Sequence, residues 1–249
     1  MVHPERVHEI MNKIIILYHT SNATVVDAFD NVVANLCLQR EKNGYKSFLL
    51  TGCEPGVGTT TVAIELSISL ARTGWKTLLL DADMRKNPSY KRLSEGVTVG
   101  LTDYILGKSA ENGIVYDTNT EFLDYLPCGS TKDKNPLRLL YSHRMSKLLS
   151  IMNSSYDFVI IDVPALNSSV DPHILSAKAD ATVLVAALDG SSRKYLEEAR
   201  ERLIKDGANL IGVIQNKLSM AAYKDYLKDY DYFTEKRYLH GNHLSFDQI

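Results

Sequence analysis

Phe48-Leu49-Leu50-Thr51-Gly52-Cys53-Glu54-Pro55-Gly56-Val57-Gly58-Thr59-Thr60-Thr61 decides the fold. An apolar run ends in a glycine-rich turn, and beyond it Val62, Leu66 and Leu70 return at helical spacing. A strand, a glycine loop and a helix in that order are what a phosphate-binding loop requires. Glycines let the backbone curl until successive N–H groups face one anion-sized concavity, and the helix N-terminus adds the positive end of its dipole. Gly56, Val57, Gly58, Thr59, Thr60 and Thr61 are therefore the candidate nucleotide-binding residues. The competing reading is an ordinary glycine-rich turn between a strand and a helix.

The standard loop continues with lysine and then serine or threonine. Here Thr59 stands at the lysine position, and Thr60 carries the hydroxyl that would reach magnesium. Loss of one charge-assisted hydrogen bond, worth about 1.5 to 3 kcal/mol, lowers nucleotide affinity by about ten- to a hundredfold and leaves the backbone cradle intact. Phosphoryl transfer loses more, about 100- to 1000-fold, because that cation also meets charge developing in the transition state. Arg85 and Lys86 are the candidates to stand in for it.

Outward from the loop, short apolar and β-branched runs recur at Thr77 to Leu80, Phe158 to Ile161, Ala181 to Val185 and Leu210 to Ile214. They read as buried parallel strands. Helical segments lie between them, such as Tyr195 to Lys205, where Leu196, Ala199 and Leu203 share one face. The segment Thr61 to Ala71 is ambiguous, since Val62, Ile64, Leu66, Ile68 and Leu70 also alternate as in a strand. Its length and its place after the glycine turn select a helix, and its wide apolar surface then calls for burial. The alternation predicts an α/β fold, a doubly wound and mostly parallel sheet with helices on both faces, and a ligand beyond the carboxyl ends of the strands. We expect one domain over residues 1–249, with an N-terminal extension at 1–26 and a tyrosine-rich tail at 219–249.

Two strand ends carry acids. Leu78-Leu79-Leu80-Asp81-Ala82-Asp83-Met84-Arg85 places two carboxylates after an apolar run, and alternation sends Asp81 and Asp83 to the same side. Phe158-Val159-Ile160-Ile161-Asp162 repeats the design with one. Hydrated magnesium is usually held through one or two carboxylates plus phosphate oxygens, so Asp81, Asp83 and Asp162 form a candidate metal and base constellation. The competing reading is that each acid caps the turn or helix that follows.

Composition narrows the partners. Twenty-eight Lys and Arg against 30 Asp and Glu give a formal charge of −2, with no basic block to track nucleic acid. Cys37, Cys53 and Cys128 are widely spaced and form no metal or disulfide pattern, which suits a reducing, cytoplasmic setting. The apolar run Ile14 to Leu17 falls far short of the roughly 20 residues of a membrane span, so membrane association is expected through a partner.

These residues resemble the bacterial tyrosine kinases of capsule and exopolysaccharide synthesis, relatives of the MinD and ParA type ATPases, over roughly Asp27 to Tyr238. Three apolar residues followed by Asp-x-Asp-x-Arg, here Asp81, Asp83 and Arg85, carry the resemblance most specifically. Further matches are Glu54-Pro55-Gly56 before Gly58, Gly100-Leu101-Thr102-Asp103-Tyr104, Asn135-Pro136-Leu137, Asp171 and Asn216-Lys217. The resemblance implies ATP or ADP and magnesium as cofactors. It implies catalytic roles for Asp81, Asp83 and Arg85, magnesium on Thr60, Asp81 and Asp162, and a nucleotide contact from Asn216. It also implies a tail of phosphoacceptors, here Tyr223, Tyr226, Tyr230, Tyr232 and Tyr238, modified by a neighbouring subunit. Tyr223, Tyr226 and Tyr230 also fit a packed aromatic stripe on a helix. The implied partners are a transmembrane polysaccharide co-polymerase and a cognate phosphatase. Two departures stand out, Thr59 for the lysine and Asp27-x-x-Asp30-x-x-Val33 for the Glu-x-x-Arg-x-x-Arg helix that supports ring oligomers. They imply weakened or absent kinase activity and no ring. An active self-phosphorylating kinase and a MinD or ParA type switch are the alternatives.

Overall fold

The computed structural model describes residues 14–85, 99–129, 136–188 and 193–219. Helix α1 (Ala23–Asn43) precedes β1 (Ser47–Gly52), α2 (Thr59–Arg72), β2 (Thr77–Asp81), α3 (Leu101–Ile105), β3 (Tyr116–Asp117) and β4 (Leu123–Leu126). Then come α4 (Pro136–Leu140), α5 (His143–Ser155), β5 (Phe158–Asp162), α6 (Asp171–Ser176), β6 (Ala181–Ala187), α7 (Arg193–Lys205) and β7 (Leu210–Asn216). One seven-stranded sheet runs β3-β4-β2-β5-β1-β6-β7, parallel throughout except for β3 against β4.

The apolar runs are continuous because both faces of the sheet are covered. Phe48, Leu50, Leu79, Phe158 and Ile160 enter one core with α2, while Leu49, Leu78, Leu80, Val159 and Ile161 enter the other with α3 and α5. Period-two alternation thus sorts successive residues of one strand into two separate cores. The same two-sided burial settles α2. Val62, Ala63, Ile64, Leu66, Ile68 and Leu70 are all buried, so a helix enclosed on most of its circumference carries an alternation that reads like a strand. In α7, Ala199 and Leu203 are buried and Leu196 packs against them, as the spacing predicts.

Two strands were not expected. In β4 the polar Asp124 interrupts a run of only four residues, and its carboxylate accepts a 2.7 Å hydrogen bond from the Tyr156 hydroxyl. β3 has two residues, too few for any period to register. Within the N-terminal segment 1–26, the described residues from 14 onward pack against the rest of the domain. Ile15 and Leu17 are buried in the core, Ile15 bridges Thr118, and the Thr20 N–H donates to the buried Glu65 carboxylate at 2.9 Å. Residues 14–22 therefore lie along the sheet edge and α2 as part of the domain. No helix of the described residues is long and apolar enough to cross a membrane.

Helix α1 carries the two positions, 30 and 33, at which the resemblance implies arginine. Asp30 is exposed, whereas Val33 is only 4% exposed and joins Leu36 in the core. Returning arginine to both sites should therefore give opposite results. Asp30→Arg is expected to leave thermal stability near that of the parent, and Val33→Arg to cost about 2 to 4 kcal/mol by burying a cation without a partner, read by urea denaturation.

Candidate nucleotide-binding site

The carboxyl ends of β1, β2, β5 and β7 gather the predicted residues at one edge of the sheet. β1 runs into the glycine loop, and its Cys53 N–H donates to the Val185 carbonyl of β6 at 3.1 Å. The loop then folds back over the strand end. A Cβ on Gly52 would stand 2.7 Å from Val57 Cγ2 and 2.8 Å from Thr59 Oγ1, so only glycine admits this turn. Gly58, at φ 92°, is the residue before α2, and a Cβ there would lie 2.4 Å from Asn216 Nδ2. The first-turn N–H groups of α2 donate to no capping side chain, since the residue before the helix is Gly58. A glycine-lined concavity at the uncapped N-terminus of a 14-residue helix fits the phosphates of a nucleotide.

Thr59 opens this helix, with its hydroxyl turned against Gly52 and its side chain largely buried, so the lysine position holds a short neutral group. Asn216, the residue from which a nucleotide contact is implied, touches the loop itself. Its Nδ2 donates to the Val57 carbonyl at 2.8 Å, which braces the loop from β7.

β2 and β5 are neighbours, and Asp81 pairs in register with Asp162. Both are buried, as is Asp83. The strand ends at Asp81, so a turn and not strand alternation brings Asp83 close. Asp81 Oδ1 accepts the Asp83 N–H at 3.0 Å, and Asp83 Oδ1 accepts the Arg85 N–H at 3.1 Å. The acids thus cap their own turn while standing at the strand ends, which joins the two readings of the sequence. From β4, the buried Tyr125 hydroxyl donates to Asp81 Oδ2 at 3.1 Å. Burial first, and then the charge of Asp81, push the phenol well above its ordinary range. Among the described residues no three His, Cys, Asp or Glu side chains form a ready cation cage. The donor set instead suits a hydrated magnesium that takes one or two carboxylates and completes its shell with phosphate and water, with Thr60, Asp81 and Asp162 as the residues that would hold it.

Arg85 is not free to replace the lysine. Its Nε and Nη2 bond both oxygens of Asp171 at 2.9 and 3.0 Å, and this hydrogen bonding raises the guanidinium above its ordinary value. Asp171 is wholly buried and Arg85 is 44% exposed. Arg85→Met is expected to cost about 3 kcal/mol in urea denaturation, by leaving a buried carboxylate unpaired, and Asp171→Leu in that background to recover most of the loss. Lys86, Asn135 and the tyrosines Tyr223, Tyr226, Tyr230, Tyr232 and Tyr238 lie outside the described residues. His173 contacts Asp206 and the Leu166 carbonyl. Sequence reasoning missed Tyr125; the alternation of Leu123, Tyr125 and their neighbours before Pro127 was its one trace.

A mostly parallel sheet with a glycine loop between β1 and α2, and acids at the ends of the two strands beside it, defines the class of P-loop nucleoside triphosphatases. A family model described as the AAA domain matches residues 51–205. The tyrosine-protein kinase CpsD of Streptococcus agalactiae is 33% identical over 201 residues, which cover 80% of this chain and 86% of that protein. The kinase domain of the Escherichia coli tyrosine kinase ETK superposes with a TM-score of 0.74 at 27% identity, covering 78% of this chain and 75% of that one. The septum site-determining protein MinD of Pyrococcus horikoshii shares the fold, with a TM-score of 0.57 at 21% identity over 72% of this chain and 76% of its own. The chain belongs to the bacterial tyrosine kinase family and shares its fold with MinD.

Proposed function

We propose that this protein binds ATP or ADP with magnesium and is a catalytically weakened member of its family. In this reading it regulates capsular or exopolysaccharide synthesis and export from the cytoplasm. The observation that carries the reading is a phosphate loop whose backbone geometry is kept while its lysine position holds Thr59, packed against Gly52. Magnesium, when bound, would neutralise charge on the phosphate oxygens. The chain's own residues do the remaining work. Gly56 to Thr61 offer backbone N–H groups to the phosphates, and Thr60, Asp81 and Asp162 orient the hydrated cation. Asn216 keeps the loop from opening, and Asp83 holds the turn that carries Arg85. Arg85, tied to Asp171, supplies no replacement cation.

Docking on a transmembrane polysaccharide co-polymerase, with a cognate phosphatase acting on the tail tyrosines, follows from family membership. A ring of subunits does not, since Asp30 is acidic and Val33 is a core residue. Calorimetric titration with ATP and magnesium, followed by intact-mass measurement, tests the reading. Saturable binding with an unchanged mass supports a weakened kinase. Phosphate added to the parent chain, and lost in Asp83→Asn, would replace this reading with the active kinase. Hydrolysis without phosphate transfer points to a MinD or ParA type switch. No binding at millimolar ATP sinks the nucleotide site.

A further inference from the structure

Tyr125 belongs to no motif of the loop or of the acidic strand ends, yet it touches the centre of the site. In β4 it pairs with Leu79 of β2, and both side chains belong to the same face of the sheet. Asp81 lies two residues beyond Leu79, on the diagonal that a long aromatic side chain reaches across neighbouring strands. The phenol fills core volume as a leucine or phenylalanine would, and its hydroxyl donates to Asp81 Oδ2 at 3.1 Å. The Asp83 N–H holds Oδ1 at 3.0 Å. Each carboxylate oxygen thus accepts a hydrogen bond from a neutral donor, which fixes rotation of the carboxylate plane.

We propose that Tyr125 is a positioning residue for the magnesium and nucleotide site, holding the Asp81 carboxylate in the one orientation that receives a hydrated cation. This rests on the reading of Asp81 as a magnesium-holding group. A carboxylate that is already fixed loses no rotational freedom when the cation arrives, so orientation by the tyrosine appears as tighter magnesium coupling and not as tighter binding of the nucleotide alone. A hydroxyl that only satisfies itself in the core would leave that coupling unchanged.

The test is calorimetric titration of ADP into the full chain and into Tyr125→Phe, first in the presence of a chelator and then across a magnesium series. Tyr125→Phe removes one oxygen and keeps the packing. Its chelator-only ADP affinity is expected to match the parent, and the magnesium concentration for half-maximal enhancement to rise about tenfold, the lower end of what loss of a partner behind a metal ligand costs. In an Asp81→Asn background the same substitution is expected to add nothing, because the hydroxyl acts through that carboxylate. An unshifted magnesium midpoint in a variant whose parent shows magnesium-enhanced binding overturns the role of Tyr125 and leaves the nucleotide site standing. A further shift on top of Asp81→Asn also overturns it. A parent that binds no nucleotide overturns the site itself, and this role with it.

Discussion

Thr59→Lys is expected to bind Mg-ATP about ten- to a hundredfold more tightly than the parent, the size of one restored charge-assisted hydrogen bond. The loop around it is already shaped for the task. Gly58 turns the chain into α2 with φ 92°, and Asn216 braces Val57 from β7. Thr59 itself begins the helix, so a lysine there starts from the rim of the concavity and has four methylenes with which to leave the contact with Gly52. Titration calorimetry reads the affinity. Phosphoryl transfer, read as added mass on the chain, is expected to gain more, about 100- to 1000-fold, since the cation also meets transition-state charge. A variant that binds no better than the parent means that the loop does not cradle phosphate in the proposed way. One that binds tightly and adds no phosphate means that Thr59 alone does not account for weakened transfer, and Asp30 and Val33, where the resemblance implies arginine, become the next candidates.

Gly58→Ala carries the second large effect, in the opposite direction. The position adopts a left-handed backbone, which costs an alanine about 1 to 2 kcal/mol. The new methyl would also lie 2.4 Å from Asn216 Nδ2, so the asparagine must release the Val57 carbonyl. Loss of nucleotide binding is the expected outcome, with a lowered melting temperature. Asn216→Ala in the same chain is expected to restore part of the stability by removing the clash. It should restore little binding, because the loop then has no brace and the backbone strain persists. Full recovery of binding in the double variant would show that the brace is dispensable and that the clash alone closed the site.

Much of this was legible in the chain. Phe48 to Leu50, Leu78 to Leu80 and Phe158 to Ile161 announce strands buried on both faces, since no half-exposed strand sustains such runs. Gly56 and Gly58 announce the loop because few other residues accept its backbone. Asp81 and Asp162 end two neighbouring strands, and the Asp-x-Asp-x-Arg match led to the family. Other features were closed to sequence reasoning. β4 was hidden by its length and by Asp124, whose partner Tyr156 lies 32 residues away. Val33 was visible as a missing arginine but not as a core residue, and Ile15 and Leu17 were visible as an apolar run but not as part of the sheet edge.

The sequence by itself determined the class of fold and the place of the loop, because these depend on local periodicity and on conformations that few residues can adopt. Only the tertiary structure decided that Arg85 is held by Asp171, that Asn216 braces Val57 and that Tyr125 holds Asp81. Those contacts join residues 86, 159 and 44 positions apart, and no local pattern records which distant partner a buried polar group will find. The partner is chosen by sheet order, which sets β4 beside β2, and by the way the loop folds back against the end of β7.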